Sequence, residues 1–186
     1  MKAGGGKRKG SKFEREICGA LSLWWSKQAH DDYFWRTASS GGRSTARSKK
    51  GKTTANSCGD ICATDPEGAP FLKVFAIEVK SGYNKFSIQD ILDAPPKAAK
   101  QVYEEWIEQA KESSRQSGSL SWLVIFRRDR REALAMLPSS VFYRLLGASM
   151  RPARLSLCDS TLLVKLSDFL KLISPESVSK LSQGGE

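Results

Sequence analysis

The sequence predicts an α/β domain in which helices flank a central mixed β-sheet. Two long segments, residues 11–27 and 97–116, carry apolar residues at helical spacing. Short apolar runs, "FAIEVK" at 75–80 and "LSWLVIF" at 120–126, read as strands. The two kinds of segment follow one another as α–β–β–β–α–β–β–α along 186 residues, long enough for one domain with a real core.

Residues 1–10 are rich in Gly, Lys and Arg and read as a flexible basic arm. Ser11 opens "SKFEREICGALSLWW", where Phe13, Ile17, Ala20, Leu21 and Trp24 form one helical stripe. In the pair Trp24-Trp25, one ring is expected in the core and the other is free to serve a dimer interface. "YFWRTAS" at 33–39 is a short strand. Residues 41–58 lack apolar periodicity and read as a flexible loop. The next segment reads as a hairpin: an arm at 60–64, "DPEG" as turn, a second arm at 71–80. Pro95-Pro96 then precedes the longest helix, with Ala99, Val102, Trp106 and Ala110 as its stripe and Gly118 near its end. After the 120–126 strand, "RRDRRE" is a polar turn, "ALAML" a strand and 139–146 a short helix closed by Gly147. "TLLVKL" reads as an edge strand, "DFLKLI" as a last helical turn, and 174–186 as a frayed tail. A single domain is thus expected over 11–173.

Charge is concentrated. Residues 1–58 hold 13 Lys/Arg against 4 Asp/Glu, whereas the other 128 hold 17 against 16. Such asymmetry favours a polyanionic partner, with nucleic acid ahead of an acidic membrane surface. No apolar run reaches the length of a membrane span, and the N-terminus lacks the apolar stretch of a secretion signal. Four scattered cysteines without a CxxC pair, and a single histidine (His30), argue against a zinc site and histidine-based nuclease chemistry. They fit reduced thiols in a cytoplasmic setting.

Within "FAIEVKSG", Phe75, Ile77 and Val79 face one way along a strand while Glu78 and Lys80 face the other. A solvated sheet face with a salt bridge is the plain reading. The alternative begins with Asp60, at the head of the preceding strand. An Asp and a Glu brought to one end of a sheet form a hard oxygen site suited to Mg2+, with Mn2+ able to substitute. Lys80 adds a positive charge beside it. Phosphodiester hydrolysis needs this set: a metal-activated water, screening of an anionic phosphate, and a cation to orient the nucleophile.

Asp60…Glu78-Val79-Lys80 resembles the signature of the PD-(D/E)XK nuclease superfamily, with Gly59 where the superfamily name has proline. "GSKFEREI" and "FWRTASSGG" resemble the first helix and the following Arg/Ser segment of archaeal-type Holliday junction resolvases. The resemblance spans about residues 10–82 and implies a restriction-endonuclease-like core. It implies metal ligation by Asp60, Glu78 and the Val79 carbonyl, and a catalytic set of Glu14, Asp60, Glu78 and Lys80. It gives DNA-contact roles to Arg36, Ser39 and Ser40. The basic loop adds Arg43, Arg47, Lys49, Lys50 and Lys52, five cations without an intervening acid. A resolvase cutting a two-fold symmetric four-way junction implies a homodimer, and a small single-domain resolvase suits a phage or mobile element.

Other readings stand beside these. Ser11-x-x-Glu14 is also a capping box. Asp60 after Gly59 is a simple turn signal, and Arg36 can pair with Asp31 or Asp32. The same fold can cut nicks, flaps or duplex DNA, and a non-catalytic basic DNA-binding protein would share the charge pattern.

Overall fold

The computed structural model describes residues 5–37, 59–83, 101–147, 155–157 and 161–184. Helix α1 (Gly5–Trp25) leads to β1 (Phe34–Arg36), which pairs antiparallel with β2 (Ile61–Ala63). A 3-10 turn (Pro66–Gly68) and helix α2 (Ala69–Val74) then deliver the chain to β3 (Phe75–Ser81). Next come α3 (Val102–Ser117), β4 (Ser121–Arg127), β5 (Leu134–Pro138) and α4 (Ser139–Leu146). Strands β6 (Leu155–Leu157) and β7 (Thr161–Lys165) and helices α5 (Leu166–Leu172) and α6 (Pro175–Gln183) complete the order.

The main sheet has five strands in the order β3-β4-β5-β7-β6. β3 and β4 run parallel and the remaining pairs antiparallel, so the sheet is mixed, as expected. Strand alternation divides its side chains between two layers. Phe75, Ile77, Val79, Leu123, Ile125, Leu137 and Val164 pack against Phe13, Ile17 and Leu21 of α1, Phe71 of α2, Phe142 of α4 and Phe169 of α5. On the other face, Trp122, Val124, Phe126, Met136 and Leu163 pack against Trp106 and Ala110 of α3. Gly118, at φ 72°, ends α3 in the left-handed conformation that glycine adopts without steric cost.

Several expectations are corrected. The hairpin over 60–80 does not form: β2 pairs with β1, and 66–74 is helical rather than part of a strand. Asp65 accepts a 2.8 Å hydrogen bond from the Glu67 N–H, and Pro66 and Pro70 sit in the opening turns of the 3-10 segment and α2. Phe71 and Val74, three apart, then bury together. β7 is not an edge strand, because β6 pairs along its outer side. Helix α1 starts at Gly5, inside the segment read as a flexible arm. The segment read as a frayed tail contains α6, capped by Ser174 (3.1 Å from the Ser177 N–H) and anchored by the fully buried Val178. Nor does the tryptophan pair offer a free ring. The Trp24 indole donates to the Ile173 carbonyl (3.1 Å) and that of Trp25 to the Glu67 carbonyl (2.8 Å), and both rings lie against Phe71. Among the described residues no helix is long and apolar enough to cross a membrane.

Candidate active site

The site is built on the outer edge of β3. Among the described residues β3 ends its sheet, and along its outer side runs the backbone just before β2. The Asp60 N–H donates to the Ile77 carbonyl (2.7 Å), and the Asp60 carbonyl accepts from the Thr37 N–H (2.9 Å). Asp60 is therefore clamped between β1 and β3, and its carboxylate turns back onto β3 to accept from the Val79 N–H at 2.7 Å. Gly59 permits this approach. Its φ is +78°, and a Cβ there would stand 2.5 Å from the Ile77 carbonyl oxygen. Proline, with φ fixed near −65°, cannot take this position, which accounts for glycine where the superfamily name has proline.

Glu78 and Lys80 are not on a solvated face. Helix α3 covers them, and Glu78 is only 2% exposed. A carboxylate so buried needs partners. The Lys80 ammonium donates to Glu78 Oε2 (2.8 Å) and the Ser113 hydroxyl to Oε1 (2.8 Å). Lys80 also donates to Gln109 Oε1 at 2.9 Å. Ser113 and Gln109 lie four residues apart on α3, so one helix face meets both ends of the ion pair. Sequence reading missed both residues. They are 35 and 29 positions from their partners, and nothing in the local pattern of α3 marks them.

From the other side, α1 brings Glu14, whose Oε2 accepts from Arg36 Nε at 2.8 Å. Ser11 lies inside α1 rather than at its N-terminus, so the capping-box reading of Glu14 falls. The pairing of Arg36 with Asp31 or Asp32 falls likewise, since its partner is Glu14. Ser39, Ser40, Arg43, Arg47, Lys49, Lys50 and Lys52 lie outside the described residues. Arg127, the last residue of β4 and the first of "RRDRRE", binds Glu16 (2.7 Å) and stacks 4.3 Å above the Phe13 ring, tying the end of β4 to α1.

Electrostatics follow from this crowding. Burial pushes the Asp60 carboxyl up to about 7, and the neighbouring Glu78 adds to the rise; Lys80 and the Val79 N–H oppose it. Burial alone would weaken the Lys80 ammonium, but Glu78 and Asp60 outweigh it and hold its pKa above the ordinary value.

The donor set suits a divalent cation. Asp60 and Glu78 are hard oxygen donors beside the Val79 peptide, and Asp60 Oδ1 accepts no hydrogen bond among the described residues. A carboxyl that burial, and after it the neighbouring Glu78, raises to about 7 is also one whose charge a bound cation would stabilise. Among the described residues no group of three or more His, Cys, Asp and Glu side chains gathers.

An acid clamped to the edge of a strand that carries Glu-x-Lys, in a mixed sheet between helices, defines a nuclease of the PD-(D/E)XK type. The comparison with protein families agrees: residues 5–176 match the phage putative PDDEXK endonucleases, and the chain belongs to that family. Among solved structures it is similar to Hjc, a Holliday junction resolvase from the archaeal hyperthermophile Archaeoglobus fulgidus. That likeness has 15% identity and a TM-score of 0.34, covering 93% of this chain and 99% of that one. No curated protein matches the chain.

Proposed function

We propose that this chain is a metal-dependent DNA endonuclease acting on branched DNA, with the four-way junction as its preferred substrate. One observation carries the nuclease chemistry: Asp60, Glu78 and Lys80 converge at the edge of β3, and Asp60 Oδ1 accepts no hydrogen bond among the described residues. Asp60, Glu78 and the Val79 carbonyl would hold a magnesium ion, with manganese able to substitute. When bound, such an ion supplies an acidified water and neutralises charge at the scissile phosphate.

The chain's own residues do the rest. An ammonium has three donors, and Lys80 gives two to Glu78 and Gln109. The third is left to orient the attacking water or a phosphate oxygen. Ser113 holds Glu78 in place. Arg36, fixed by Glu14, keeps guanidinium donors beyond Nε for a phosphate of the bound strand.

The junction preference rests on the resemblance of the Glu14 and Arg36 segments to archaeal-type resolvases. Their direct contact supports reading them as one device. The basic segment departs at Thr37 and re-enters at Gly59, and the backbones beside these ends meet at Asp60, which supports phosphate contact near the site. A two-fold junction cut on two strands calls for a homodimer.

The test is cleavage of a labelled four-way junction and its matching linear duplex, with magnesium or with EDTA, by wild type and Asp60→Asn. Paired, metal-dependent cuts in the junction alone, lost in the variant, establish the proposal. Cutting of both substrates keeps the chemistry and removes the junction preference. Binding without cleavage in any metal leaves a basic DNA-binding protein.

A further inference from the structure

On the α3 side of the site the structure holds two features that the hydrolytic set does not use. The first is the orientation of Gln109. Lys80 can only donate, so the group it meets at 2.9 Å must be the Gln109 carbonyl oxygen. The amide nitrogen is thereby turned outward on an exposed side chain, and among the described residues it donates to nothing. Its two N–H donors stand one side chain away from the site lysine.

The second is Tyr83. It lies two residues past the end of β3 and is 48% exposed. Its φ is +47°, a left-handed value that a bulky residue adopts only when its surroundings hold it there. Gly82 before it is also left-handed and donates its N–H to the Arg127 carbonyl at 3.0 Å. The Tyr83 ring stands edge-on to Trp106, with centroids 4.8 Å apart. Trp106 lies three residues before Gln109 on α3, so tyrosine and outward amide border the same stretch of helix.

We infer that Tyr83 and Gln109 form a nucleotide subsite beside the scissile phosphate. The tyrosine ring stacks on a base or sugar, and the Gln109 amide donates to the adjoining phosphate oxygen while its carbonyl steadies Lys80. Stacking suits a splayed or single-stranded nucleotide, which exposes a face that a paired base inside a duplex does not. The subsite rests on the nuclease reading above and names the part of the substrate this flank accepts.

The test uses the full chain and an oligonucleotide whose cleavage position has been mapped with wild type. 2-Aminopurine is placed in turn at each nucleotide beside the cut, and binding is followed in EDTA. Quenching is expected at one position, lost in Tyr83→Ala and restored in Tyr83→Phe, which keeps the ring. Removing the stack on one base should raise the Kd of Tyr83→Ala roughly 5- to 150-fold. Gln109→Glu keeps an acceptor for Lys80 but sets an anion against the phosphate. Its Kd should rise about tenfold, and a neutral methylphosphonate at one phosphate beside the cut should remove that rise. If wild type cuts DNA, no position is quenched and both variants bind as it does, the subsite falls alone. If wild type cuts no DNA under any metal, the nuclease reading falls and the subsite with it.

Discussion

Gly59 and Ile77 meet backbone to backbone, so closely that a Cβ on Gly59 would stand 2.5 Å from the Ile77 carbonyl oxygen and 3.0 Å from its nitrogen. This close approach sets where Asp60 lies on β3. Gly59→Ala must accept both the collision and a φ of +78°, at a cost of at least ~2 kcal/mol. Cleavage should fall more steeply than stability, because Asp60 is moved away from Glu78. Chemical denaturation and single-turnover cleavage measured together check this; a fully active Gly59→Ala would show that the close approach is dispensable.

Lys80 is the cation in hydrogen-bond contact with buried Glu78. Removing one member of a buried pair strands the other, so Lys80→Met should destabilise the protein by about 3–5 kcal/mol at pH 8 and abolish cleavage. Urea unfolding and single-turnover cleavage of the same variant read this directly; a Lys80→Met protein as stable and as active as wild type would remove the lysine from both roles.

Asp60 gives a pH dependence with a definite sign. Its carboxyl titrates near 7 in the fold and near 3.8 when free, so the folded state holds its proton more tightly. In EDTA this contribution is fully present below about pH 4 and is lost as pH rises through about 7. Wild type should therefore lose thermal stability relative to Asp60→Asn across that window, and magnesium at pH 8 should return part of the loss to wild type alone. Melting curves from pH 4 to 8 decide it, and parallel curves for the two proteins would refute the raised titration.

The Glu14–Arg36 pair joins α1 to β1 at a partly exposed position. Pairs of that kind contribute little to stability, so Arg36→Ala should cost less than about 1 kcal/mol. DNA binding and cleavage should both fall, and a double-mutant cycle with Glu14→Gln should show coupling in cleavage. Additive effects would mean that the two residues act separately.

The 41–58 segment makes a prediction about salt. Replacing Arg43, Arg47, Lys49, Lys50 and Lys52 with neutral residues should flatten the slope of log Kd against log salt. The change should be about 0.9 for each duplex phosphate that these cations neutralise. An unchanged slope would exclude them from the interface.

Local pattern was enough to settle the class of the fold and to single out three of the groups that meet at the candidate site. Strand alternation in "FAIEVKSG" needs no neighbours, so the separation of Ile77 and Val79 from Glu78 and Lys80 could be read directly. Helical spacing located α1 and α3, and Gly118 marked where α3 stops for the same local reason. The rest was settled by packing, because the deciding interactions join residues far apart in the chain. Nothing near Glu78 tells that α3 buries it or that Ser113 and Gln109 meet the ion pair, since helix packing depends on the whole sheet. Nor does "DPEGAPFLKV" reveal that β2 turns away to pair with β1: its apolar residues suit a strand, and helix won through two prolines and the shared burial of Phe71 and Val74. The partner of Arg36 was likewise a matter of approach, with Glu14 brought to it across 22 residues in place of the sequence-near Asp31 and Asp32.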